Sequence, residues 1–357
     1  MPCGSASNQA RFLRACRRLP VDCTPIWLMR QAGRYMPEYQ GLRRRHSFEH
    51  LLTTPELACE VTLQPVRAFG VDAAIVFSDI LPILRAMGVS LRYDDAAGPQ
   101  LEPLEKQELE PLSFADLEDR LGYTLQAIQL AKRELEPLGV PLVGFAGAPY
   151  TLACYALEGR PSSACSLARG LLLAEPARGR RLLDALAESV GRHLELQARA
   201  GADALQLFDT WAGTLAADDY RELALPVARR VVAQGRSAGV PVIYFSTQTG
   251  GMVELLAETG ADVISVDWRT ELAAVRRRLG GRVAVQGNLD PAALLAPWET
   301  LAERARAVLR AAGREPGFIF NLGHGVLPGT DPHNVRRLVE LVHRESADGG
   351  RSAGRYG

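Results

Sequence analysis

Eight short segments of the chain share one pattern: a mostly apolar run of four or five residues, then a polar or glycine-rich loop. The first four are residues 25–29, running into RQAGR; 73–77, into Ser78 and Asp79; 141–145, into AGAPYT; and 204–208, into Asp209, Thr210 and Trp211. The others are 241–245, before STQTGG; 263–266, before Asp267 and Trp268; 283–286, before GNLD; and 318–321, before LGHG. Unbroken apolar runs of this length suit strands buried on both faces, as in a parallel sheet. Helical periodicity fills the gaps. Residues 179–200 carry Leu182, Leu183, Leu186, Val190 and Leu194 at a three-to-four spacing and stop before Gly201. Residues 117–135, 220–237, 252–259 and 294–312 are predicted helices by the same rule, the last two ending at Gly260 and Gly313.

Eight strands alternating with helices predict an α/β fold, a single-domain (β/α)8 TIM barrel over residues 1–345. Such a barrel needs only about 250 residues. Most of the excess falls between strands two and three, where the polar stretch 94–111 predicts an insertion. The glycine- and serine-rich tail, 346–357, is expected to be disordered. A two-domain doubly wound fold is the architectural rival, but no GxGxxG follows the first strand and no linker divides the chain.

Formal net charge is zero, so no global field draws the chain to nucleic acid or to a membrane surface. An anionic ligand must be held by local charge. All but two of the 41 basic residues are arginine, the exceptions being Lys106 and Lys132. Arginine number is therefore a compositional bias, and only arginine position is informative. The six cysteines are scattered without a CxxC, so no disulfide framework is expected. The N-terminal residues lack the apolar core of a signal peptide, and no run reaches the ~18 apolar residues of a membrane span. A cytoplasmic location is the expectation.

In a TIM barrel every loop that follows a strand opens on one mouth. Arg30 and Arg34 would meet there, four residues apart around Gly33. If their loop is helical they share a face, and arginine forks bind carboxylates in two-point fashion; the alternative is a pairing with acids such as Glu38. Asp79 offers a carboxylate for N–H donors or a cation, or else caps the next helix. Asp209 and Asp267 carry the same ambiguity. Tyr155 and Thr210 each supply a hydroxyl, or serve packing and capping. His324 sits between two glycines, where packing gives little reason for histidine. His46 and His50 are four apart but lack a third metal ligand nearby. No P-loop, no GxSxG, no zinc-type His-x-Cys and no strand-end lysine is present. The residues themselves point to a cofactor-independent barrel enzyme for a polyanionic, polycarboxylate ligand.

Six motifs then carry a resemblance. PIWLMRQAGRYMPEYQ (25–40), FSDIL (77–81), GFAGAPYTLACYALEG (144–159), QLFDTWAG (206–213), QGNLDP (286–291) and NLGHG (321–325) are similar, in order, to those of uroporphyrinogen decarboxylases. The similarity runs over residues 12–343. It implies a (β/α)8 barrel acting as a homodimer with facing clefts, and conversion of uroporphyrinogen III to coproporphyrinogen III without metal or cofactor. It implies a substrate loop at Arg30, Gln31, Ala32, Gly33 and Arg34, and Asp79 as acceptor for the pyrrole N–H groups and stabiliser of the transition state. Tyr155, Thr210 and His324 match further substrate contacts, and Arg30 matches the residue the family offers as general acid. The chain departs from the pattern twice. Thr210 stands where many relatives have serine, and residues 246–249 read STQT where many bacterial relatives place a lysine. Two rivals share the fold: a zinc- and cobamide-dependent methyltransferase, which needs a His-x-Cys, and a non-catalytic tetrapyrrole-binding protein.

Overall fold

The computed structural model describes residues 8–94, 98–104 and 116–347. Part of the predicted insertion, 105–111, and the tail beyond residue 347 lie outside the described residues. Seven parallel strands form one curled sheet in the order β1, β4, β5, β6, β7, β8, β9. They are β1 (Ala74–Ile75), β4 (Leu142–Gly147), β5 (Ala204–Asp209), β6 (Val242–Ser246), β7 (Val263–Ser265), β8 (Ala284–Leu289) and β9 (Phe318–Leu322). The register runs Val143↔Ala204, Leu205↔Val242, Ile243↔Val263, Val263↔Ala284 and Val285↔Phe318. Helices separate successive strands and cover the outer face, strand side chains fill the inside of the curl, and the strands are buried almost throughout. This is a TIM-barrel-like fold in a single domain.

The curl is visible in a buried polar network. Gln286 on β8 donates from Nε2 to Oε1 of Gln206 on β5, 3.1 Å away, although two strands separate them in the sheet. Gln286 also donates to Ser265 Oγ at 3.0 Å and accepts from Trp27 Nε1 at 2.9 Å. Only a sheet that turns back on itself brings those side chains together.

The predicted first strand, residues 25–29, is reduced to a single bridge, Ile26↔Phe320. It still joins the two sheet edges: Phe320 N–H donates to Pro25 O at 2.8 Å, and Asp72 N–H donates to Ile26 O at 2.8 Å. Side chains replace the missing ladder. Ile26 N–H goes to Asp72 Oδ2 at 2.7 Å and Met29 N–H to Asn321 Oδ1 at 3.0 Å. Pro25 has no N–H to offer. The predicted helix 220–237 opens with a π-helical stretch, Tyr220–Ala224, before Leu225–Ser237. Pro226 explains the break, because it removes one i→i−4 bond. Between β1 and β4 lie the helix Pro82–Ala86, an antiparallel pair, β2 (Leu91–Asp94) with β3 (Gly98–Leu101), and the helix Gly122–Leu135. The hairpin docks on the helix Pro149–Glu158, with Leu101 N–H on Gly159 O and Leu104 N–H on Ala156 O.

At the N-terminal end of β1, fully buried Asp72 ties three distant parts of the chain. It accepts Arg11 at 2.6 Å, Ile26 N–H at 2.7 Å and His343 Nε2 at 2.6 Å. Removing this buried carboxylate would strip Ile26 N–H of its acceptor and take one acid from Arg11, which also pairs with Asp22. Asp72→Ala is expected to cost about 3 kcal/mol or more of unfolding free energy, read as a lower urea midpoint. A shift below about 1 kcal/mol would show that solvent replaces the carboxylate.

Candidate active site

Arg30 opens the site with a strained backbone. Its φ is +58°, a left-handed value that non-glycine residues rarely adopt. The loop is a series of turns rather than a helix, so helical spacing is not what disposes the two arginines. Gln31 holds the strained turn. Its buried side chain accepts Leu28 N–H at 3.0 Å and donates to Ala73 O at 3.0 Å, and its carbonyl accepts Tyr35 OH at 2.6 Å. Gln31 is thus turned inward, while Ala32 and Gly33 are half-buried at the bend and Arg34 is exposed. Neither Arg30 nor Arg34 forms an ion pair among the described residues, which removes the pairing with Glu38.

The stem of Arg30 lies over Gly325 of the NLGHG segment. A Cβ at residue 325 would come within 2.7 Å of Arg30 Cγ and 3.0 Å of its Cβ. Glycine is needed there because an arginine stem occupies the space a side chain would take. His324, the preceding residue, is half-buried between Phe245 and Trp268, with ring centroids at 6.2 and 6.4 Å. Its Nδ1 accepts Gly325 N–H at 2.8 Å. Burial pushes its pKa down to about 4, helped by the Arg30 and Arg269 charges. The neutral ring therefore carries its proton on Nε2.

Asp79 follows β1 and is half-buried. Its Oδ1 accepts Leu81 N–H at 2.9 Å, closing the turn that leads into the helix Pro82–Ala86. The helix N-cap is Leu81, so Asp79 does not cap the helix; it closes the turn ahead of it through one oxygen. Burial raises the Asp79 carboxyl above its usual range, against the opposing pull of Leu81 N–H and the Arg30 charge. Tyr155, half-buried on the helix Pro149–Glu158, faces Trp211 with centroids 6.2 Å apart. Burial raises its phenol, the Asp79 charge adds to that, and Arg30 opposes it. The Arg30 charge thus acts on Asp79, Tyr155 and His324 alike, and the Asp79 charge acts on Tyr155. Thr210 is half-buried beside Trp211, and its carbonyl accepts Thr247 Oγ1 at 2.6 Å.

The other two strand-end aspartates are committed elsewhere. Buried Asp209 accepts Thr151 Oγ1 at 2.7 Å and Tyr244 OH at 2.5 Å. Buried Asp267 accepts Gln248 N–H, Thr270 Oγ1 and Arg269, each at 3.0 Å. Both hold loops in place. Sequence reasoning missed Arg269, whose guanidinium lies 3.9 Å over the Trp268 ring. The available signal was its place one residue beyond the strand-end pair Asp267 and Trp268. It also missed the aromatic wall of Phe77, Phe48 and Tyr93, with successive centroids 5.8 and 5.0 Å apart. Among the described residues, no group of three or more His, Cys, Asp or Glu side chains is arranged to hold a metal ion.

Comparison with known proteins matches the chain to a family. The model described as Uroporphyrinogen decarboxylase (URO-D) covers residues 7–345. A protein of Roseiflexus sp. (strain RS-1) named uroporphyrinogen decarboxylase is 50% identical over 349 residues, 96% of this chain and 100% of its own length. One of Chloroflexus aggregans with the same name is 50% identical, over 93% of this chain and 94% of its own. Among solved structures, a methyltransferase from Methanosarcina mazei superposes with a TM-score of 0.79 at 20% identity, over 94% of this chain and 98% of that one. At that identity the likeness concerns the fold alone. The motifs that surround Arg30, Asp79, Tyr155 and His324 fall within the matched span, and the chain belongs to the uroporphyrinogen decarboxylase family.

Proposed function

We propose that this protein removes CO2 from the four acetate side chains of uroporphyrinogen III, giving coproporphyrinogen III for haem and tetrapyrrole biosynthesis. The observation that carries the reading is one half-buried carboxylate, Asp79, in the field of Arg30 and beside Tyr155 at the strand ends. An acetate on a pyrrole cannot lose CO2 directly without leaving a poor carbanion. Protonating the ring α-carbon first makes a cationic electron sink. The electrons of the broken C–C bond flow into that ring, and a second proton at the new methylene gives methyl as the first leaves the ring. The balance is one proton taken up and one CO2 released per acetate.

Asp79 stabilises that cation. Burial leaves its charge poorly compensated in the resting site, and pyrrole N–H donors and the developing cation supply what is missing. An interaction that strengthens as charge develops lowers the barrier rather than merely tightening binding. Arg30 clamps the reacting acetate and is the candidate general acid, although a guanidinium pKa above about 12 makes proton release costly. His324, neutral with its Nε2–H free, donates to a substrate carboxylate and is no reservoir of protons at neutral pH. Arg34 holds a second carboxylate, with Ala32, Gly33, Tyr155 and Thr210 completing the contacts, while Gln31, expected from sequence to touch substrate, instead braces the turn from inside. We read the segment 25–29 as the eighth position of a closed (β/α)8 barrel and the β2–β3 region as its insertion. A cytoplasmic homodimer working without cofactor completes the proposal. Among the described residues, the buried thiols of Cys16, Cys59, Cys154 and Cys165 suit a reducing compartment.

The deciding experiment is anaerobic incubation with enzymatically made uroporphyrinogen III after dialysis against a strong chelator. Coproporphyrinogen III should form without added metal or thiol. Activity that returns only with metal, or binding without turnover, would replace this reading by the methyltransferase or the carrier. Arg34→Ala is expected to raise KM about tenfold through loss of one charge-assisted contact; unchanged KM and kcat would remove Arg34 from the clamp. For pH dependence, a raised Asp79 pKa means the active carboxylate is lost on acidification earlier than usual. The acid limb of kcat/KM should lie above the reference ~3.9 of aspartate, and no break should occur near 6.5, the reference for histidine. A break near 6.5 that disappears in His324→Gln would restore His324 as a proton donor.

A further inference from the structure

His324 lies in the field of two guanidinium groups, Arg30 and Arg269, and only Arg30 belongs to the motifs read from the sequence. Arg269 follows β7 and lies over the Trp268 indole at 3.9 Å. One of its N–H groups reaches Asp267 Oδ2 at 3.0 Å. Trp268 meets the His324 ring edge to face at 6.4 Å. Arg269, Trp268 and His324 are therefore contiguous, and Arg30 flanks His324 through its packing on Gly325.

Asp267 does not require Arg269 for its own sake. It already accepts Gln248 N–H and Thr270 Oγ1, each at 3.0 Å. Arg269 in turn keeps most of its donors uncommitted: its side chain is 50% exposed, and among the described residues only Nη1 is engaged. A cavity of about 370 Å³ beside the guanidinium is lined by Arg269, Gln248, Thr270 and Arg278, with Glu271 as its one acidic residue. A guanidinium laid flat on an indole and tethered at one corner is largely pre-ordered, so it loses little freedom on binding.

We propose that Arg269 is a further carboxylate-binding residue of the substrate site, closing with Arg30 and the His324 Nε2–H around one carboxylate of the tetrapyrrole. The proposal rests on the polycarboxylate reading above and goes beyond it by adding the β7 loop to the recognition surface. Two guanidiniums and a neutral N–H donor around His324 offer a carboxylate complementary charge and donors, and the nearby Asp267 carboxylate is already held by Arg269, Gln248 N–H and Thr270 Oγ1.

The test is fluorescence titration with uroporphyrin III, the stable oxidised octacarboxylate, on the wild-type protein, Arg269→Gln and Arg269→Lys. Arg269→Gln is expected to raise Kd about tenfold, the loss of one charge-assisted contact. Arg269→Lys keeps the charge, loses the fork, and should raise Kd about threefold; it carries the test alone if the glutamine variant does not fold. Equal Kd in the folded variants, whether or not the melting temperature falls, would reduce Arg269 to a tie for Asp267 and overturn the proposal. So would a wild-type protein that binds no uroporphyrin III. Decarboxylation of uroporphyrinogen by the wild type is assayed separately. Its absence together with a raised Kd in the variants would sink the decarboxylase reading and leave the carboxylate site standing.

Discussion

Asp79→Asn is expected to lose nearly all decarboxylase turnover, about a thousandfold or more in kcat, in a protein that still folds. The asparagine carbonyl can accept Leu81 N–H as Oδ1 of Asp79 does, so the turn before the helix Pro82–Ala86 survives. What disappears is the negative charge. In the resting protein that charge is disfavoured by burial, so its removal does not cost stability, and thermal unfolding should occur at the same temperature or a higher one. In the transition state the same charge faces a pyrrole cation in a low-dielectric site, where it has its largest effect. Substrate binding, shared among the arginines and hydrogen-bond donors, should weaken far less than kcat. Near-normal turnover by a folded Asp79→Asn protein would end the cation-stabiliser role.

The second large effect is expected from a single methyl group. Gly325→Ala would place a Cβ within 2.7 Å of Arg30 Cγ and 3.0 Å of Arg30 Cβ. Because the Cβ itself is crowded, rotation at the end of the side chain does not relieve the contact. The backbone cannot easily move either, since Arg30 sits at φ +58° in a turn held by Gln31. The guanidinium must shift, and misplacement by ~1 Å can cost about a hundredfold in rate. We therefore expect kcat/KM to fall about a hundredfold with a small change in melting temperature. Gly329→Ala is the control: its nearest neighbour is Leu295 Cδ2 at an ordinary 3.6 Å, and it should behave as wild type. Wild-type kcat/KM in Gly325→Ala would mean that Arg30 is not placed by this contact.

The strands of the sheet were legible because they are buried on both faces. That burial writes a mostly apolar run into the chain at each of β4 to β9. The loops after them were legible as a shared mouth because parallel strands all end on one side, which is why Arg30, Asp79, Tyr155, Thr210 and His324 could be named from sequence. Residues 25–29 carried the same apolar run yet form only one bridge. Their donors are taken by side chains of Asp72 and Asn321, far away in the chain, and no local pattern announces such partners. Gln31 shows the same limit within the site, since the letter next to Arg30 could not reveal that its amide is spent inward on Leu28 and Ala73.

By itself, then, the sequence determined the βα order, the family motifs and the residue types available at the mouth. These follow from local burial and from residue chemistry, which each segment carries wherever it lies. The tertiary structure alone decided which of those residues share a field, which aspartates are committed to loop hydrogen bonds, and the protonation of His324. That last property depends on burial, on the neighbouring Gly325 N–H, and on charges at Arg30 and Arg269. Electrostatic fields and burial depend on distance in space, and the Arg30 charge reaches Asp79 and His324, and that of Arg269 reaches His324, only when the sheet curls.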